Sequence, residues 1–149
     1  MRFAIVAARW HGEMTERLTL GARRAFAERD AGPVETIQVP GAFELPIAAR
    51  AAAMSGRVDA VIALGVVIRG DTPHFDHVAG QAASGLMSVA LSTGVPVLFG
   101  VITADTVEQA EIRSADNDDN KGYEAAIAAI ELVAELRRFG SSDPKVVGA

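Results

Sequence analysis

Ala60-Val-Ile-Ala-Leu-Gly-Val-Val-Ile68 is the longest apolar run in the chain, and Arg69-Gly-Asp-Thr-Pro-His74 follows it directly. A continuous apolar run bounded by turn residues reads as a strand covered on both faces, the mark of a parallel sheet wrapped by helices. The strand itself is expected over residues 60–64, at the centre of the sheet, with residues 65–74 as the loop beyond it. Thr72 before Pro73 reads as a helix start: a hydroxyl cap, then a proline in the first turn, where its missing N–H costs nothing. The free N–H groups of such a terminus suit a phosphate, although a cap with no ligand accounts for the same residues.

Outward from this unit, strand-like and helix-like segments alternate. Phe3-Ala-Ile-Val-Ala-Ala8 is a second fully apolar strand. A helix is expected over residues 13–30, with Leu18, Ala22, Ala25 and Phe26 at helical spacing and Gly32-Pro33 to end it. Residues 34–39 alternate apolar and polar, as a half-exposed strand does, and Pro40-Gly41 breaks the chain. An alanine-rich helix is expected over residues 43–54, a long one over 73–93, a strand over 95–99 and a short helix over 106–114. The last helix is expected over residues 122–139, with Glu124, Glu131, Glu135 and Arg138 on one face and Ile127, Ile130 and Val133 facing inward. Residues 140–149 read as a loose tail, and residues 1–149 as a single domain. Short connections and right-handed crossovers predict an α/β fold, a three-layer α/β/α flavodoxin-like domain with a four-stranded parallel sheet in the order 2-1-3-4.

The 149 residues are half apolar, carry a formal charge of −5 and contain no cysteine. A chain of this size hides roughly 70% of its unfolded surface, so it needs no disulfide or structural metal to fold. A disulfide scaffold, a thiolate zinc site and a cysteine nucleophile are excluded. With a pI near 5.1 the chain lacks the Lys/Arg excess that nucleic-acid binding requires, whereas a small anion needs only one or two local cations. The apolar run at 60–68 is far shorter than the roughly 18 residues of a membrane span. Met1-Arg2 leads straight into strand one with no cleavage signature, so a cytoplasmic protein is expected, with neither nucleic acid nor membrane as partner. Only 8 residues are aromatic against 28 alanines, so each ring is informative.

In parallel α/β sheets, ligands bind beyond the carboxyl ends of the strands, which directs attention to residues 9–12, 40–44, 65–74 and 100–105. The first stretch holds Trp10, the only tryptophan, whose flat face suits a heteroaromatic ring but is equally at home in a core or interface. The second holds Glu44, able to accept from a polyol or simply to complement a helix dipole. In the third, His74 stands just inside the expected helix, able to move a proton near neutral pH. His77 raises the question of a metal, but no third ligand has suitable spacing. Phe99 is expected at the end of strand four, while Arg113 and Lys121 flank the polar link before the last helix. Either cation suits a phosphate or an ordinary surface ion pair. Four rings, Trp10, Phe43, Phe75 and Phe99, are thus expected just past the carboxyl ends of the strands.

Val39-Pro-Gly-Ala-Phe-Glu-Leu-Pro46, Ala63-Leu-Gly-Val-Val-Ile-Arg-Gly-Asp-Thr-Pro-His-Phe-Asp76, Val95-Pro-Val-Leu-Phe-Gly-Val-Ile-Thr103 and Asn120-Lys-Gly122 fall in the order and spacing of one enzyme family. The chain resembles the lumazine synthase family over residues 2–139. The resemblance implies condensation of 5-amino-6-(D-ribitylamino)uracil with 3,4-dihydroxy-2-butanone 4-phosphate to 6,7-dimethyl-8-ribityllumazine, phosphate and water, with no metal or organic cofactor. It implies that Trp10 stacks on the pyrimidine, that Ala42, Phe43 and Glu44 hold the ribityl chain, and that the backbone of Val66, Val67 and Ile68 reads the uracil edge. Asp71 and Thr72 match the phosphate-contacting turn and His74 the proton-transfer residue. Phe99 and Arg113 match a ring contact and a phosphate clamp donated by a neighbouring subunit, and Lys121 matches a position near the pyrimidine. Self-association into pentamers or assemblies of pentamers follows from such a shared site, with riboflavin synthase as a candidate further partner.

The chain departs from the family pattern at three places. Trp10-His11 stands where the family often has Phe-Asn, so an asparagine contact is lost or passes to His11. Glu111-Ile112 stand in swapped order before Arg113, displacing a carboxylate that would orient the arginine or histidine. Asp71 sets a negative charge beside the expected phosphate, and its side chain is expected to point outward. The link over residues 114–120 has the compact length of shell-forming relatives without their glycines, and no extension before strand one is expected; a pentameric unit is expected, its higher assembly open. Two other readings compete: a non-catalytic flavin- or lumazine-binding paralogue, and a riboflavin synthase of the related pentameric type.

Overall fold

The computed structural model describes residues 1–140. The expected tail lies outside the described residues except for Gly140, which closes the last helix. The elements are β1 (Phe3–Ala8), α1 (Gly12–Glu28), β2 (Val34–Val39), a 3-10 turn (Ala42–Glu44), α2 (Leu45–Met54), β3 (Ala60–Ile68), α3 (His74–Thr93), β4 (Val97–Ala104), α4 (Val107–Arg113) and α5 (Lys121–Gly140). All strand pairs are parallel and the order is β2-β1-β3-β4, as the alternation of elements predicts. Among the described residues no helix is long and apolar enough to cross a membrane.

Two apolar layers sandwich the sheet. Phe3, Ile5 and Ala7 of β1 and Ile62, Leu64 and Val66 of β3 face α1, α4 and α5. Ala4, Val6, Val61 and Ala63 face α2 and α3. Burial on both faces is why β1 and β3 contain no polar residue, each fully buried Leu or Ile contributing roughly 1.5–3 kcal/mol. The alanines let helices approach closely: Ala22 and Ala25 of α1 and Ala125, Ala126 and Ala129 of α5 are all buried in one layer. Thr106 caps α4 by accepting from the Gln109 N–H at 3.2 Å, while the Gln109 side chain accepts from the Asp105 N–H at 2.8 Å, a reciprocal arrangement close to a capping box.

Three expected boundaries need correction. β3 runs to Ile68, not 64, because Gly65–Ile68 keep pairing with Val101–Ala104 of β4. β4 begins at Val97 and runs to Ala104, whereas 95–99 was expected. The Val95 N–H is taken by the Thr93 hydroxyl at 3.2 Å and belongs to the turn. Phe99 therefore pairs with Ala63 inside the sheet, five residues before the strand ends, or roughly 16 Å at 3.3 Å per residue. Finally, α3 begins at His74 with Pro73 at the cap position; the Thr72 hydroxyl accepts from the His74 N–H only at 3.4 Å.

Candidate active site

The loops after β1 and β2 are tied together: the Arg9 N–H donates to Val39 O at 2.8 Å and the Trp10 N–H to Pro40 O at 3.3 Å. His11 then takes a left-handed conformation, φ 59° and ψ 48°, to turn the chain into α1. Histidine, with asparagine and aspartate, is among the few non-glycine residues that tolerate this region. Trp10 is left 70% exposed and Phe43, in the 3-10 turn, 59% exposed. The edge of the indole and the Glu44 carboxylate converge on Gly41. A methyl placed on Gly41 would lie 3.0 Å from Trp10 Cδ1 and 3.3 Å from Glu44 Oε2. Arg9, Trp10, His11 and Pro40 line a shallow hollow of about 390 Å³ there. A larger hollow of about 500 Å³ lies between α1 and the outer strand β2, but of these residues it shares only Arg9 and has no aromatic or histidine lining.

The 3-10 turn touches β1, β3 and α3, which brings Ala42, Phe43 and Glu44 beside the end of β3. That end is open on one side. β1 pairs with β3 only as far as Ala7 with Leu64, so the N–H and C=O groups of Gly65–Ile68 that point away from β4 face no strand. Unpaired backbone donors and acceptors seek partners, and a heterocycle with alternating N–H and C=O groups supplies them. Val66 and Val67 are buried and Ile68 half-buried, so any reading of a ligand there falls to backbone groups.

Beyond Ile68, Arg69 ties three elements together. Its N–H donates to Ala104 O at 2.8 Å; its guanidinium donates to Asp105 at 2.8 Å, pairs with Asp76 at 3.5 Å and lies 4.4 Å over the Phe75 ring. The hydrogen bond it donates to Asp105, outweighing the opposing effect of burial and aided by Asp76, raises the Arg69 pKa above that of an ordinary arginine. Asp71, Thr72 and His74 stand exposed on this turn and at the start of α3. The sequence reading missed Arg69, whose partners are separated from it in the chain and converge only through the β3–β4 register.

The remaining expected residues lie elsewhere. Phe99, 36% exposed, sits on the α3 side of β4 with Val97 and Val101, away from the strand's carboxyl end. Arg113 ends α4 and holds Glu124 of α5 at 2.7 Å, with a further bond to Asp119 O at 2.6 Å. Lys121 opens α5 and joins no ion pair among the described residues. Glu111 turns to α1 and pairs with Arg17, leaving Ile112 67% exposed beside Arg113. The carboxylate on Arg113 is supplied by Glu124 instead. One chain thus assembles Trp10, the 3-10 turn, the open edge of β3 and the His74 turn at one end of the sheet, and holds Phe99, Arg113 and Lys121 apart from them.

A profile of the 6,7-dimethyl-8-ribityllumazine synthase family matches residues 1–137. The chain belongs to the 6,7-dimethyl-8-ribityllumazine synthase family. A family member from Xanthomonas euvesicatoria pv. vesicatoria is 54% identical over 134 residues, 89% of this chain and 87% of its own length. A member from Kineococcus radiotolerans is 52% identical over 139 residues, covering 92% and 86%, and one from Deinococcus deserti is 48% identical over 145 residues, covering 95% and 92%. All three bear the name 6,7-dimethyl-8-ribityllumazine synthase. Family membership therefore extends over every element that builds the candidate site.

Proposed function

We propose that the chain is a transferase that condenses 5-amino-6-(D-ribitylamino)uracil with 3,4-dihydroxy-2-butanone 4-phosphate to give 6,7-dimethyl-8-ribityllumazine, phosphate and water. The observation that carries this reading is the open edge of β3 beside the exposed Trp10 and Phe43 rings and the Glu44 carboxylate. A pyrimidine stacked on the indole presents its N–H and C=O edge to Gly65–Ile68, and its ribityl chain runs toward Glu44. The phosphate of the second substrate occupies the turn of Asp71 and Thr72. His74 transfers protons as the amine adds to the ketone and a first water leaves to form the imine, as phosphate is eliminated, and as the second amine closes the ring with loss of a second water. Holding two substrates together supplies much of the remaining acceleration, so no strong nucleophile is needed.

Charge supports a site shared between copies. Asp71, Asp76 and Asp105 surround the start of α3, and the nearby cation, Arg69, is already engaged by two of them. A dianionic phosphate in such surroundings needs another cation. Arg113 and Lys121 of a neighbouring copy provide it, with Phe99 closing over the heterocycle, in a pentameric assembly.

Mixing the protein with both substrates and following lumazine absorbance or fluorescence tests the proposal: product is expected at micromolar enzyme, and its absence overturns the reading. The exposed Trp10 and Phe43 also favour a second reading, a flavin- or lumazine-binding protein without turnover. Tight riboflavin binding in a protein that makes no lumazine would establish it.

A further inference from the structure

The α4–α5 link is closed by one buried side chain, that of Asn120. The Asn120 carboxamide is 1% exposed. Its Nδ2 donates to Arg17 O at 3.2 Å, Ser114 O at 3.1 Å and Ala115 O at 3.0 Å, and its Oδ1 accepts from the Tyr123 N–H at 3.0 Å. One amide therefore fastens α1, the end of α4 and the first turn of α5. The space for it is made by Gly21 of α1, where a methyl would collide with the carboxamide. Outside the link, Arg24 holds Asp118 at 3.0 Å and Asn117 O at 3.0 Å and covers the Tyr123 ring.

Arg113 is gripped by this lock at both ends. Its main chain leads directly into Ser114, whose carbonyl Asn120 holds. Its guanidinium donates to the carbonyl of Asp119, the residue before Asn120. Glu124, which orients the other side of the guanidinium, follows on the helix that Asn120 caps. A charged group on a long side chain binds an anion well only when its direction is fixed beforehand.

We propose that Asn120 is a positioning residue for Arg113, setting the direction in which that cation meets the phosphate of the substrate in the neighbouring copy's site. The proposal rests on the reading given under Proposed function. Asn120→Asp keeps the shape and the Tyr123 bond while removing the three donated bonds. Gly21→Ala retains the Asn120 side chain but pushes its carboxamide out of line.

The experiment measures both substrate KM values and the inhibition constant of inorganic phosphate for the parent, Asn120→Asp, Gly21→Ala, Arg113→Ala and the double variant Asn120→Asp/Arg113→Ala. In Asn120→Asp and Gly21→Ala the KM for the butanone phosphate and the phosphate inhibition constant are expected to rise about tenfold, the loss of one charge-assisted contact. The KM for the aminouracil is expected to stay within about threefold, and the double variant to be no weaker toward phosphate than Arg113→Ala. Equal rises in both KM values, a fall in kcat alone, or additive losses in the double variant would overturn the proposal. If the parent makes no lumazine, the functional reading fails by itself, and direct phosphate titration of the same variants then decides the positioning role. A parent that neither turns over nor binds phosphate overturns both.

Discussion

The turn that carries His74 and the link that follows Arg113 lie at the two ends of one proposed interaction, yet they are built in opposite ways. The His74 turn is exposed from Gly70 to His74, is anchored through Arg69, and leaves the strand edge beside it unpaired. The link at residues 114–120 is threaded on a buried carboxamide and braced by Arg17 and Arg24 from α1. Groups that must receive a ligand keep polar positions unsatisfied, and groups that reach toward another copy need a rigid base. Substitutions in the turn should therefore cost activity without stability, and substitutions around the link should cost stability first.

Gly122→Ala should show the largest effect. A methyl there meets the Leu18 carbonyl of α1, forcing α1 and α5 apart, and a loss of about 3 kcal/mol is expected in chemical denaturation. An unchanged midpoint would mean that the link is not the rigid region it is taken to be. His74→Ala should do the reverse, lowering turnover about 100-fold, close to 2.7 kcal/mol of activation free energy, with an unchanged melting temperature. Residual activity is expected, because binding and proximity survive. A smaller effect sharpens the comparison at the loop after β1. His11→Asn should raise stability by about 0.5 kcal/mol and His11→Val lower it by roughly 1–2 kcal/mol, since a β-branched residue resists the left-handed region. Equal stability of the two variants would remove the conformational account of His11.

The smallest effect is a control at the opposite end of the sheet. Burial alone would raise the Asp59 carboxyl, but the Arg2 N–H at 2.7 Å and Arg137 at 3.0 Å together hold it below the usual carboxylate range. A carboxylate depressed in the folded state adds stability above its unfolded pKa and loses it as the pH falls through the folded value. Asp59→Asn should thus cost about 1 kcal/mol or less at pH 7 and nothing once the pH is well below about 4, with turnover unaffected. A difference that persists or grows in acid would contradict that sign.

Strand order, helix positions and the inward face of α1 were legible from periodicity, because both faces of β1 and β3 are buried and the chain must say so residue by residue; on α5 the buried face is Gly122, Ala125, Ala126, Ala129 and Val133, and the expected Ile127 and Ile130 are only half-buried. Trp10, Phe43, Glu44 and His74 were legible as candidates from their places after strands. The strand ends expected at residues 64 and 99 were too early: β3 and β4 pair straight on through Gly65 and Gly100. That pairing moved Phe99 into the sheet and turned Val66–Ile68 from loop into a strand edge that β1 leaves unpaired. Asn120 was legible only as the end of a polar link, although asparagine before a helix is a common cap. Its burial depends on Gly21, 99 residues earlier.

The amino-acid sequence by itself determined the family, the parallel sheet and the chemical groups available, because hydrophobic period, cap chemistry and residue type are local properties. Tertiary structure alone decided which backbone edge of β3 stays unpaired, which carboxylates engage Arg69, and which carbonyls Asn120 fastens beneath Arg113. Those are matters of register and helix separation, set by contacts between segments far apart in the chain, and no local pattern encodes them.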